Sequence, residues 1–65
     1  MELRIENMTC GGCARSVTKA IQSVDPQAVV EIDVPARLVD VRSSRTPTAF
    51  ASALAAVGYP AAETA

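Results

Sequence analysis

The sequence predicts an α+β fold with its elements in the order β-α-β-β-α-β. Apolar residues alternate with polar ones in some runs, the period of a half-buried strand, and recur at steps of three and four in others, the period of a helix. Proline, glycine and short polar stretches separate these runs, as turns require. The two helical runs sit one on each side of a strand-turn-strand pair, and that placement sets the order of elements.

Residues 2–6, Glu-Leu-Arg-Ile-Glu, alternate without a break. Leu3 and Ile5 share one side and Glu2, Arg4 and Glu6 the other, as in an antiparallel-type strand. From Cys13 the period changes. Ala14, Val17, Ile21 and Val24 form one helical face, with Arg15, Ser16, Lys19, Gln22 and Ser23 on the other. Asp25-Pro26 ends this helix, because the residue before a proline avoids helical dihedrals. Ala28 to Val34 alternates again, with Ala28, Val30, Ile32 and Val34 inward. A turn at Pro35-Ala36-Arg37 leads to Leu38–Arg42, with Val39 and Val41 inward, and the two runs read as a hairpin. Pro35, lacking an N–H, suits the turn.

Ser43-Ser44-Arg45 is a polar connector. Thr46 and Pro47 predict a helix start, as N-cap and first helical residue. Phe50, Leu54 and Val57 are its expected buried stripe, with Ala53 beside them, and Gly58 its stop. The tail, residues 59–65, has room for one short edge strand starting at Pro60. The whole is a ferredoxin-like βαββαβ plan: a four-stranded antiparallel sheet with two helices on one face. That plan hosts many functions and implies none.

With 65 residues, the chain is expected to form one domain, residues 1–65. Such a domain buries only about 60% of its unfolded surface. The chain is 49% hydrophobic, but twelve of these residues are alanine, so the larger aliphatics must be well placed. Phe50 and Tyr59 are its only aromatics, too few to stack on nucleic-acid bases. Six basic against seven acidic residues leave no positive surplus for a phosphate backbone. There is no apolar run of membrane-spanning length, and Met1-Glu2-Leu3-Arg4 lacks the pattern of a signal peptide. The chain therefore reads as cytoplasmic, with no nucleic-acid partner and no membrane insertion. An enzyme is not expected: there is no His, no Ser-centred constellation, no phosphate-binding glycine loop, and too little chain to enclose a cleft.

The chemistry concentrates in Asn7-Met8-Thr9-Cys10-Gly11-Gly12-Cys13, which holds both cysteines and two of the three glycines. Two intervening residues let both thiolates reach one ion across a tight turn. Gly11 and Gly12 add no bulk and permit positive φ. Cys13, at the start of the first helix, faces unpaired N–H groups that favour thiolate over thiol. In a reducing compartment such a pair serves as metal ligands or redox thiols rather than as a staple. Without His, and with only two Cys, a closed Cys/His zinc site or a cysteine-held iron–sulfur cluster cannot form within one chain. Two thiolates suit Cu(I), which is soft; Hg(II) has similar tastes.

Met8-Thr9-Cys10-Gly11-Gly12-Cys13 resembles the M-[TS]-C-x-x-C pattern of the heavy-metal-associated domain family, and within it the free-standing bacterial copper chaperones. Gly58-Tyr59 is similar to the Gly-Tyr that many bacterial members carry after the second helix. The resemblance runs from Leu3 to about Ala62; Asn7 stands where many members have Gly. It implies Cu(I) held by Cys10 and Cys13. It also implies transfer by thiolate exchange to the metal-binding domain of a copper-transporting P-type ATPase. A copper-bridged homodimer is a second assembly open to such a site, and buffering of Cu(I) a second use.

Around the two ligands, each residue has a plainer reading to set against a functional one. Met8 carries a soft thioether, but a core plug under the loop suits Met better, and the resemblance implies the same. Thr9 is expected to stiffen the loop through its hydroxyl. Tyr59 reads either as an amphipathic corner residue or, as the resemblance implies, as a lid that shields the metal or hydrogen-bonds near a sulfur. Arg15 and Lys19 are either an ordinary solvated face or a basic patch that steers an acidic partner.

Three other functions compete. A thiol–disulfide oxidoreductase would use the same C-x-x-C, but such motifs carry an aromatic before the first Cys, where this chain has Thr9. The chain could also be a metal-binding domain excised from a larger transporter; its initial Met and short tail favour a complete small protein. A Hg(II) or Zn(II) binder is the third. Mercury carriers of this family are exported, and zinc-handling relatives place an acidic residue beside the first Cys.

Overall fold

The computed structural model describes residues 1–64. The elements follow in the order β1 (Glu2–Arg4), α1 (Gly11–Val24), β2 (Val29–Asp33), β3 (Leu38–Arg42), α2 (Pro47–Ala56) and β4 (Ala62–Glu63). The strands form one sheet in the order β2-β3-β1-β4, and every neighbouring pair is antiparallel. This is the ferredoxin-like plan predicted above.

The alternating residues pack as their period requires. Leu3, Val39 and Val41 of the sheet are fully buried with Val17 and Ile21 of α1 and Phe50 and Leu54 of α2. Burying a side chain of that size stabilises the fold by about 1.5–3 kcal/mol. The opposite sheet face carries Glu31, Asp40 and Glu2 side by side across β2, β3 and β1.

Several boundaries differ from the sequence-based expectation. β1 pairs only through Arg4. Ile5 stays buried and its N–H still reaches the Arg37 carbonyl at 2.9 Å, but the Met8 N–H turns back to the Ile5 carbonyl and bends the chain away. Val34 leaves β2 for the hairpin turn, where its carbonyl accepts from the Arg37 N–H at 3.0 Å. Arg37 holds the left-handed conformation that closes this turn, with φ 59°.

α1 begins at Gly11, not Cys13, because the Cys10 carbonyl already accepts from the Ala14 N–H at 3.1 Å. The apolar period starts three residues later than the hydrogen bonding does. Val57 is 52% exposed rather than buried. It is the C-cap, past the last helical residue, so the helical step no longer turns it inward. β4 starts at Ala62, after rather than at Pro60. Ala65, included in the expected tail strand, lies outside the described residues.

The topology brings three connections together. β1 ends where β4 begins, with Arg4 opposite Ala62, and where β3 begins, with Arg4 opposite Leu38. The loop after β1, the β2–β3 turn and the connection before β4 therefore share one end of the sheet. Arg37 of the hairpin turn pairs there with Glu6, at 3.4 Å.

Candidate metal centre

The loop after β1 is anchored from below and open above. Met8 is fully buried in the core cluster. That places its thioether among apolar side chains and leaves Thr9 and Cys10 exposed beyond it. Cys10 is the N-cap of α1, in extended conformation (φ −152°, ψ 171°), and makes no side-chain capping bond. Gly11 and Gly12 are the first two helical residues and Cys13 the third.

The two sulfurs lie 3.3 Å apart. Both are free thiols, Cys10 exposed and Cys13 half-buried. A metal–sulfur bond is about 2.3 Å, so one ion reaches both. Among the described residues no group of three or more His, Cys, Asp or Glu side chains gathers around a metal position.

The Cys13 thiol is brought down from 9.0 to about 6, first by a hydrogen bond from the Tyr59 hydroxyl. Backbone hydrogen bonding at Thr9 and the neighbouring Cys10 side chain add to this, while burial opposes it. At neutral pH Cys13 is therefore largely thiolate, the form that binds metals. The reciprocal effect pushes the Tyr59 phenol above its ordinary range, again first through the bond to Cys13. Ser16, on α1, acts the other way and draws the phenol down.

Two expectations about the loop need correction. Gly11 and Gly12 do not use positive φ, which among the described glycines belongs to Gly58 alone, at +89°. A Cβ at Gly11 would meet nothing within 4 Å, and one at Gly12 would touch the Cys10 sulfur at an ordinary 3.8 Å. Their effect is to leave the sulfurs uncrowded. Thr9 does not act through its hydroxyl. Among the described residues that group forms no hydrogen bond, and the backbone of Thr9 is what reaches Cys13.

Tyr59 reaches the sulfurs because α2 ends in a Schellman motif. The Gly58 N–H bonds the Ala55 carbonyl at 3.1 Å and the Tyr59 N–H bonds the Leu54 carbonyl at 2.8 Å, which turns the chain sharply at the left-handed Gly58. Arg15 and Lys19 lie exposed on α1, whose only charges they are. They are not part of the sulfur site.

Two residues escaped sequence reasoning. Ser16 follows Cys13 by three positions and so shares its helix face, a spacing that could have flagged it. Asn7 donates from Nδ2 to the Gly58 carbonyl at 2.7 Å across 51 positions. No local pattern announces that contact.

A ferredoxin-like sheet with a cysteine pair at the start of α1 is the frame of a known class. The heavy-metal-associated domain matches residues 2–60, and the chain belongs to that family. The crystal structure of a gold binding protein is 44% identical, with a TM-score of 0.95, over 98% of this chain and 98% of that one. The copper chaperone Atx1 from Synechocystis PCC6803, in a trimeric form, is 32% identical with a TM-score of 0.92, over 95% of this chain and 98% of its own. Oxidized MerP from Ralstonia metallidurans CH34 is 28% identical with a TM-score of 0.79, over 94% of this chain and 89% of its own. A search of curated protein sequences finds no match. No helix among the described residues is long and apolar enough to cross a membrane.

Proposed function

We propose that this protein is a cytoplasmic metallochaperone that carries one Cu(I) on Cys10 and Cys13 and passes it on by thiolate exchange. The observation that carries the reading is the sulfur pair, 3.3 Å apart at an uncapped helix start, with no His, Cys, Asp or Glu side chain among the described residues completing a group of three around it. Two soft donors satisfy Cu(I), which tolerates low coordination, and underserve Zn(II), which takes four ligands. An exposed, incompletely surrounded ion is open to an incoming thiolate.

In the exchange the chain's own groups divide the work. Cys13 enters as thiolate, held so by Tyr59 and backbone hydrogen bonds. Cys10, the more exposed sulfur, is the one an acceptor thiolate displaces first. Tyr59 stands beside Cys13 as a lid, and Met8 anchors the loop from within the core. Arg15 and Lys19 present positive charge on α1 toward an acceptor, the metal-binding domain of a copper-transporting P-type ATPase. Charge complementarity there raises the encounter rate more than the affinity. A copper-bridged homodimer is the other product such an open site allows.

The gold binding relative favours a second reading, in which the cargo is a different soft ion such as Au(I) or Hg(II). A competition titration of Cu(I), Au(I), Hg(II) and Zn(II) against a chromophoric chelator, with the mass measured at each step, separates the two. The reading predicts that Cu(I) displaces Zn(II), at one ion per chain or per pair of chains. Retention of Zn(II) against Cu(I), or tighter binding of Au(I) or Hg(II) with no Cu(I) uptake at the chelator's affinity, overturns it.

A further inference from the structure

Asn7 lies in the turn that leaves β1, with no sulfur to offer a soft ion. Its side chain crosses instead to the other end of the chain and donates to the Gly58 carbonyl at 2.7 Å. A carbonyl oxygen only accepts, so the NH2 group of the amide must face it. The contact ties the cysteine loop to the corner that carries Tyr59.

The same corner is also held by α2, by the edge of the core and by α1. The Schellman bonds to Ala55 and Leu54 attach Gly58 and Tyr59 to α2. The Tyr59 ring packs against the edge of the core, and its hydroxyl faces Cys13 of α1. From the loop before Cys10, the Asn7 side chain hydrogen-bonds this corner. The bond is exposed, so water competes for both of its groups. It stabilises the closed arrangement modestly and can open without unfolding anything.

We propose that Asn7 is a positioning residue for metal exchange: by holding the Gly58 carbonyl it latches the Tyr59 corner onto the cysteine loop and sets how long Tyr59 stays over the Cys13 sulfur. This rests on reading Cys10 and Cys13 as the ligands. The required chemistry is narrow. Asp has the same shape but no N–H to donate at neutral pH, and Ala has no polar group at all.

The test is stopped-flow transfer of Cu(I) to a chelator from the unaltered protein, N7A, N7D, Y59F and the N7A/Y59F double variant. Tyr59-ring to Cys13 nuclear Overhauser effects are recorded in the metal-free forms. Tyr59 is the only tyrosine, so its ring signals are unambiguous. Asn7→Ala and Asn7→Asp are expected to speed release about fivefold, the weight of one ordinary hydrogen bond. In the Tyr59→Phe background, Asn7→Ala should add little, because both changes act through the same contact. The Overhauser effect should weaken in both Asn7 variants. A full-size effect of Asn7→Ala in the Tyr59→Phe background, which general loosening of the loop would give, overturns the latch. So does an Overhauser effect left intact in both Asn7 variants. If the unaltered protein takes up no Cu(I), the metal reading fails, and the metal-free spectra alone decide whether Asn7 positions Tyr59.

Discussion

Helix α2 starts at Thr46, whose side chain accepts from the Ala49 N–H, and at Pro47, which has no N–H left to satisfy. Helix α1 starts with neither device. Its N-cap is Cys10, which makes no capping bond, and two glycines follow. Neither helix places an acidic residue in its first turn. Both begin from extended backbone, so the contrast lies in what each does with its unpaired N–H groups. At α2 they are covered to stabilise the fold. At α1 no side chain caps them, and the backbone just ahead of the helix, at Thr9 and Cys10, serves the Cys13 sulfur instead; helix stability is traded for an open sulfur pair.

The sharpest way to break the contrast is to convert one start into the other. Cys10→Ser installs a good N-cap where a poor one stood. The metal-free variant is expected to gain about 0.5–1 kcal/mol in denaturant unfolding. It should also lose at least about 100-fold in Cu(I) affinity, more than the loss of an outer partner costs. Affinity that survives in both Cys10→Ser and Cys13→Ser would remove the thiolates from the site.

Next comes the titration of Cys13, with a thiol at about 6 in the folded state against 9.0 unperturbed. A thiol depressed on folding adds stability that is fully present above its unfolded value and lost as pH falls through the folded one. The metal-free protein should therefore gain stability as pH rises from about 6 to 9. Tyr59→Phe removes the leading cause, so the thiolate absorbance midpoint should move up and the stability slope shrink. An unmoved midpoint would show that Tyr59 does not hold the thiolate.

At the other helix, Thr46→Ala is expected to cost about 1 kcal/mol of stability and leave Cu(I) affinity unchanged. A loss of affinity would show that the two starts are not independent. The smallest effect belongs to Arg15→Glu with Lys19→Glu. Transfer to an acidic acceptor domain should slow about tenfold at low salt, with the difference closing as salt screens it. Equal rates at low salt would return the two residues to an ordinary solvated face.

The same contrast explains what the sequence made legible. Side-chain periodicity located every element but β4, which was expected only from the room left in the tail and begins two residues after Pro60; Thr46-Pro47 marked the start of α2 because its capping is done by side chains. The start of α1 was placed two residues late because its cap is backbone, and glycines carry no pattern. Val57 kept the helical step in sequence but fell beyond the helix in space. The sulfur pair was legible because soft donors are rare in this chain. Asn7 was not, since its partner, Gly58, comes from the far end of the chain and meets the loop only once β4 pairs with β1.

X-ray absorption at the copper edge of the Cu(I)-loaded protein tests the central claim most directly. The account predicts two sulfur scatterers from Cys10 and Cys13 when one ion sits on one chain, or a third or fourth sulfur only where two chains share the ion. Nitrogen or oxygen ligands from the protein, or a third sulfur on a monomer that disappears in Met8→Leu, would contradict it.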